Sequence, residues 1–253
     1  MDIISYLKRL NYQGPLAPTA ETLHALHYSH VLAVPFENLD IHVGRPIVLD
    51  EDYLYDKIVT RRRGGFCFEL NGLFAALLRE LGFSVTLLAS NVGNGERSTL
   101  GPEFNHLALL VRLEEAWLAD VSFGHSFVEP LQLNEPGEQM QRTGVYRRVR
   151  QDGDGMTLEW NRDDQWVRAY RFNLQPRLLS DFGETCYYLQ TSPESAFTQK
   201  RICYRATLGG QISLRDMHLI MTTNGQRHEQ ELANQDEYVA MLQKHFQIQL
   251  FGW

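Results

Sequence analysis

Arg61-Arg62-Arg63-Gly64-Gly65-Phe66-Cys67-Phe68-Glu69-Leu70-Asn71-Gly72 places a thiol directly after a two-glycine turn and at the head of an apolar segment. The pattern predicts a helix from Cys67 to Leu81, closed by Gly82, with the cysteine in its first turn. Unpaired backbone N–H groups and the positive end of a helix favour a thiolate there, and nearby arginines add to this where their side chains fold over it. The same N–H groups are suited to hold an oxyanion during attack on a carbonyl. An arbitrary cysteine is most often a small buried side chain that fills space. The glycine turn and the flanking charges argue against that reading here.

Outward from this segment, the first 80 or so residues read as helical. Ile3, Ile4, Leu7 and Leu10 form a short stripe, Pro15 and Pro18 break it, and Thr19 is placed to cap a second helix carrying Leu23, Leu26 and His27. Val34-Pro35-Phe36 ends that helix, and Asp50 is placed to cap a third through Tyr53, Leu54, Ile58 and Val59. After Phe83 the period changes to that of strands: Ser84 to Leu88, His106 to Val111 and Trp117 to Val121. Tyr146 to Val149, Met156 to Trp160 and Trp166 to Phe172 continue an antiparallel meander. Beyond Pro176 a mixed segment leads to strands near Ile202 to Ala206, Ile212 to Leu214, His218 to Met221 and Arg227 to Leu232, then to a last helix capped by Asn234 and Glu237.

A nucleophilic thiol needs a base and the base needs an orienter. His106 begins an apolar strand, where it projects from a sheet edge, and Asp120 ends the next strand, where a hairpin brings it beside His106. Taken singly, a strand-end histidine is as often a surface or core residue, and an aspartate is more often a turn cap. The ordered set of Cys67, His106 and Asp120 across helix, strand and neighbouring strand is what points to a cysteine triad.

At 253 residues, 43% apolar and 22% charged, the chain has the composition of a globular protein. A net charge of -7 argues against a general nucleic-acid or anionic-membrane binder, so an anionic ligand has to be met by a local pocket. No run reaches a membrane span and Met1-Asp2-Ile3-Ile4 lacks a signal-peptide pattern, so a cytoplasmic location is expected. Three cysteines, at 67, 186 and 203, fit neither a disulfide framework nor a CxxC site. No metal is expected: His24, His27 and His30 share a helical face, but an amphipathic helix explains them with no acidic or thiol ligand nearby.

The chain resembles the arylamine N-acetyltransferase family. The matching residues are Val34-Pro35-Phe36-Glu37-Asn38-Leu39, Arg63 to Gly72 as quoted above, Asn105-His106, Asp120-Val121 and Phe123-Gly124, followed by Pro130-Leu131 and Thr191-Ser192-Pro193. The resemblance is close over roughly residues 1 to 200 and vague afterwards. It implies an α+β fold with a cysteine-protease-like catalytic core: an N-terminal helical bundle (1–82), a central antiparallel β-barrel (83–180) and a C-terminal α/β lid (181–253). It also implies ping-pong transfer, in which acetyl-CoA acylates Cys67, coenzyme A leaves, and an arylamine, hydrazine or arylhydroxylamine takes the acetyl group. By the same resemblance Phe36, Val92 and Phe123 line the acceptor pocket, for which core packing is the bland alternative. The resemblance likewise implies that Glu37 and Arg63 are a buried pair bracing the nucleophile loop.

The run Asn91-Val92-Gly93-Asn94-Gly95 reads as a strand-connecting turn rather than a phosphate loop, because it does not open a helix. Two departures from the family pattern bear on substrate preference. Ser122 and His125 stand where the family usually has glycine, and the chain ends at Phe251-Gly252-Trp253, earlier than many members. The competing readings are an amide synthase using a longer acyl thioester, a papain-like or transglutaminase-like hydrolase, and a binding protein that has lost turnover.

Overall fold

The computed structural model describes residues 1–93, 104–123, 127–135, 137–143, 145–153, 155–162 and 164–249. Helices α1 (Ile3–Arg9), α2 (Ala20–Ala33), α3 (Leu39–His42), α4 (Glu51–Tyr55) and α5 (Cys67–Glu80) occupy the N-terminal part, with the short strand β1 (Phe36–Glu37) between α2 and α3. The expected caps are in place. Thr19 Oγ1 accepts from the Thr22 N–H, and Asp50 Oδ1 accepts from Asp52 and Tyr53, so that each satisfies first-turn donors. α4 runs on through a π-helical turn, Asp56–Thr60, which takes the chain to the arginine run before α5. Cys67 to Leu78 are all buried, so α5 is a central helix rather than an amphipathic surface one.

The middle of the chain forms an eight-stranded antiparallel sheet in the order β5-β4-β3-β2-β9-β8-β7-β6. Its strands are β2 (Ser84–Asn91), β3 (His106–Arg112), β4 (Ala116–Ala119), β5 (Leu131–Gln132), β6 (Gln139–Met140), β7 (Tyr146–Asp152), β8 (Gly155–Arg162) and β9 (Gln165–Arg177). The edges β5 and β6 are bridged by one side chain. Gln139 accepts from the Gln132 N–H at 2.8 Å through Oε1 and donates to the Gln132 carbonyl at 2.8 Å through Nε2. An amide imitating a backbone ladder thus nearly closes the barrel and covers both edges. Leu88, Ala108, Leu110, Leu118, Leu158 and Tyr170 pack in one cluster, while Leu87, Leu107, Leu109 and Val111 join α5 in another. Alternation along β2 and β3 therefore sends successive residues to two different cores.

The C-terminal part holds α6 (Gly183–Thr191), α7 (Ala196–Gln199), strands β10 (Ile202–Thr207), β11 (Gly210–Arg215), β12 (His218–Thr223) and β13 (Gln226–Glu231), and α8 (Gln235–Met241). The architecture is the expected α+β fold of helical bundle, antiparallel barrel and α/β lid.

Three local departures from the sequence expectation have physical reasons. β1 pairs with β10, Phe36 opposite Tyr204 and Glu37 opposite Cys203, and bridges to Gly65. A two-residue strand has no periodicity to read, so this tie between distant parts of the chain was not foreseen. β4 ends at Ala119, before Asp120, because the next N–H groups leave the ladder for side chains: Asp120 donates to His27 Nε2 and Val121 to Asn71 Oδ1. β9 runs past Phe172 to Arg177 and includes Pro176, which sits opposite Leu88 next to a register shift, the kind of irregularity that tolerates proline.

Candidate active site

Gly64 and Gly65 are required by close approach and not by a left-handed backbone. A Cβ on Gly64 would collide with the Pro35 carbonyl oxygen, and one on Gly65 would lie 2.8 Å from Glu69 Cβ. The stripped backbone lets the loop pass under Pro35 and Phe36, with Glu37 N–H donating to the Gly65 carbonyl at 2.9 Å. The Glu69 side chain then accepts from the Phe66 N–H at 3.0 Å, fixing the start of α5 and leaving Cys67 in its first turn.

The Glu37–Arg63 pair belongs to a larger buried cluster. Arg63 Nη2 lies 2.7 Å from Glu37 Oε1 and 3.0 Å from Asp40 Oδ1, while Lys57 Nζ lies 2.9 Å from Asp40 Oδ2 and 2.7 Å from Glu69 Oε1. Three carboxylates thus share two cations. Burial pulls the carboxyl of Asp40 upward, but Lys57 and Arg63 beside it hold it below its usual value. Burial raises that of Glu69 despite Lys57. The cluster reaches the nucleophile loop twice, through Arg63 before the glycines and through Glu69 on the Phe66 amide. Sequence reading missed Asp40 and Lys57. Both stand among other charged or polar helix residues and carry no local signal of burial.

Cys67 is 3% exposed, and its Sγ is 4.0 Å from the Asn105 carbonyl oxygen. His106 Nε2 is 2.6 Å from Asp120 Oδ2, and Cys67 lies close enough to the same ring to act on its charge. Burial favours a neutral ring, yet the charge and hydrogen bond of Asp120, with those of Cys67, raise His106 to about 10. Burial likewise opposes charge on Asp120, and His106, Asn71 and Ser122 overcome it and lower its pKa. Burial pushes Cys186 up to about 12 and Cys203 well above its ordinary value.

Asp120 is held on every side. Its Oδ1 accepts from Asn71 Nδ2 at 2.8 Å, from the Ser122 N–H at 3.0 Å and from Ser122 Oγ at 2.9 Å. Its own N–H donates to His27 Nε2 at 3.1 Å, so His27 carries its proton on Nδ1 and donates to the Val128 carbonyl. Burial pushes His27 down to about 4, which keeps it neutral and able to accept. The histidines of α2 therefore part company: His24 lies edge-on to Trp117 and His30 meets the Tyr6 hydroxyl. Among the described residues no three His, Cys, Asp or Glu side chains converge on a point that could hold a metal.

Phe36 and Phe123 share a narrow cleft of ≈ 10 Å³ with Ser122 and Tyr204, room for about one water. Val92 is not in its lining. Its backbone is clamped by Asn105, which accepts from the Val92 N–H at 2.8 Å and donates to its carbonyl at 3.1 Å. Phe123 also stands edge-on to the His106 ring, 5.3 Å between centroids, with Tyr170 at 5.2 Å tilted against the same ring. His125, Asn94, Gly95 and residues 250–253 lie outside the described residues.

A buried thiol, an imidazole and a carboxylate in that order is the arrangement of thiol-dependent acyl transfer. Comparison with known proteins is specific. An N-acetyltransferase family model matches residues 19–252. The chain is 36% identical to the arylamine N-acetyltransferase of Escherichia coli (strain K12) over 244 residues, covering 95% of this chain and 86% of that protein. It is 33% identical to proansamycin X synthase of Amycolatopsis mediterranei over 96% of each chain. Among solved structures, the Salmonella typhimurium arylamine N-acetyltransferase superposes with a TM-score of 0.92 at 34% identity, covering 97% of this chain and 90% of that one. The Mycobacterium marinum enzyme in complex with CoA gives 0.90 at 31%, covering 98% and 93%. The chain belongs to the arylamine N-acetyltransferase family.

Proposed function

We propose that the protein transfers an acetyl group from acetyl-CoA to a small arylamine, hydrazine or arylhydroxylamine through a thioester on Cys67, with His106 and Asp120 completing the triad. The observation that carries this reading is a buried His106 whose Nε2 lies 2.6 Å from Asp120 Oδ2, with Cys67 at the head of α5 and its Sγ 4.0 Å from the carbonyl of Asn105, the residue before His106. In the first half-reaction the Cys67 thiolate attacks the acetyl carbonyl, the carbon–sulfur bond to coenzyme A breaks, and His106 gives its proton to the departing sulfur. In the second, an unprotonated amine nitrogen attacks the Cys67 thioester and its proton passes to His106 as the thiolate leaves, which restores the ion pair. Asp120 keeps the ring aligned and compensates its charge. The first-turn N–H groups of α5 stand where the oxyanion develops.

Phe36, Phe123 and Val92 serve the acceptor side, and the narrow cleft between Phe36 and Phe123 opens to admit a flat ring. Residues 1–82, 83–180 and 181–253 act as nucleophile-bearing, base-bearing and covering units. No helix among the described residues is long and apolar enough to cross a membrane. With the acidic net charge, this supports a cytoplasmic enzyme whose partners are small molecules and not nucleic acid or membrane. Similarity to a relative named proansamycin X synthase, over nearly its full length, keeps an amide synthase as the second reading. Initial rates with acetyl-CoA and an arylamine test the proposal. Parallel double-reciprocal lines and no coenzyme A release beyond one equivalent without amine are expected. Intersecting lines, or steady hydrolysis, contradict it.

A further inference from the structure

His27 is fully buried on α2, its ring edge-on to Phe74 at 6.1 Å and tilted against Phe127 at 5.7 Å between centroids. Both ring nitrogens are engaged in this aromatic setting. Nε2 accepts from the Asp120 N–H at 3.1 Å, and Nδ1, which must then carry the proton, donates to the Val128 carbonyl at 3.1 Å. Burial pushes the ring down to about 4, so it stays neutral at ordinary pH and keeps one donor and one acceptor. A side chain lacking a donor and an acceptor at those two points would take a partner from both backbone groups.

The two backbone groups stand at two stretches that line the narrow cleft beside the triad. Val121, Ser122 and Phe123 line it directly after Asp120, and Phe127 and Val128 line it farther along the chain. The first stretch is also held by Asn71, which accepts from the Val121 N–H at 2.9 Å and donates to Asp120 Oδ1 at 2.8 Å. The second is also held by Gln141, whose Oε1 accepts from the Val128 N–H at 3.0 Å and the Glu129 N–H at 2.8 Å. His27 hydrogen-bonds both, so a single ring sets the orienting carboxylate and the far part of the cleft wall relative to α2.

We propose that His27 is a positioning residue for the transfer reaction, fixing through one neutral ring both the carboxylate that orients His106 and the acceptor wall at Phe127 and Val128. The role rests on the transferase reading above, and it divides between the two half-reactions. The bond to Asp120 serves both, because the triad acts in each. The bond to Val128 serves the second, in which the amine has to seat against the wall. Small shifts matter here, since a misplacement of about 1 Å that starts away from the chemistry can cost on the order of a hundredfold in rate.

Two substitutions separate the bonds. A glutamine sets its amide oxygen where Nε2 lies and an asparagine sets its amide nitrogen where Nδ1 lies, so His27→Gln retains the acceptor for Asp120 and His27→Asn retains the donor for Val128. The kcat/KM for acetyl-CoA reads the first half-reaction, the kcat/KM for an arylamine reads the second, histidine NMR titrates His106, and thermal unfolding follows the fold. His27→Gln should keep the His106 titration and hold the acetyl-CoA value within about threefold of wild type, while the arylamine value falls by about tenfold. His27→Asn should lower both values by about tenfold and move the His106 titration downward, because the carboxylate that raises it is no longer held in place. Equal losses in the two variants overturn the proposal. So does a lower melting temperature with both values and the titration at wild-type levels, which reduces His27 to packing. Failure of the wild-type protein to acetylate Cys67 from acetyl-CoA overturns the transferase reading and this role with it.

Discussion

Replacing Asp120 by Asn keeps the size of the side chain and removes its charge. In the wild type the His106 ring is raised from 6.5 to about 10, although burial alone pushes the other way. Asn leaves burial and Cys67 in place and removes the carboxylate that chiefly opposes burial, so the ring falls back toward its ordinary value. The lost difference of about 3.5 pH units corresponds to on the order of 5 kcal/mol of bias toward the imidazolium. At neutral pH the variant therefore loses the protonated partner of the thiolate, and single-turnover acetylation of Cys67 should slow by about 10³-fold. The assay is rapid mixing with acetyl-CoA, acid quench and intact mass, followed across pH, with histidine carbon NMR to titrate His106 directly. Wild-type rates should fall on the alkaline side only near the pH at which His106 deprotonates. Acetylation by Asp120→Asn within about tenfold of wild type, or a His106 titration that does not move, would refute the reasoning.

Four further outcomes follow from named contacts. Gly64→Ala sets a methyl against the Pro35 carbonyl, a backbone atom that cannot swing away, and should cost about 3 kcal/mol or more, read by thermal or denaturant unfolding. Lys57→Met leaves Glu69 without a cation and Asp40 with Arg63 alone, and should cost about 3–5 kcal/mol, while surface ion pairs such as Arg227 with Glu229 should tolerate alanine within about 0.5 kcal/mol. Ser122→Gly removes a hydroxyl that donates to Asp120 and accepts from Asn71, costing about 1 kcal/mol of stability and lowering the His106 titration slightly in NMR. The pH dependence of stability has two limbs. His27 is lowered to about 4, so its contribution is complete above 6.5 and is lost as pH falls from there toward 4. His106 is raised, so its contribution is complete below 6.5 and is lost as pH rises through about 10. Melting temperature should therefore be greatest near pH 6.5, and a profile rising steadily to pH 10 would contradict the two assignments.

The nucleophile helix, the caps at Thr19, Asp50 and Asn234, the β3–β4 hairpin and most strand positions were legible because each rests on local chemistry: an apolar period, a side-chain acceptor before a helix, or alternation between turns. The placement of Cys67 at a helix start and of His106 beside Asp120 was legible for a related reason, since a glycine turn, a strand start and a strand end constrain where their side chains lie. What stayed hidden depends on distant partners. His27 reads as one face of an amphipathic helix, and nothing near it in sequence says that its ring caps the backbone of Asp120. Lys57 and Asp40 look like ordinary helix charges until the fold buries them with Arg63 and Glu69. The glycines at 64 and 65 read as a turn, whereas their purpose is clearance beneath Pro35 and beside Glu69.

The central claim is a covalent acetyl-enzyme on Cys67, and intact mass after incubation with acetyl-CoA alone tests it most directly. The account predicts one acetyl group per chain, mapped to Cys67, absent in Cys67→Ala and discharged by an added arylamine. An unmodified chain whose Cys67 still reacts with a small alkylating agent would contradict it.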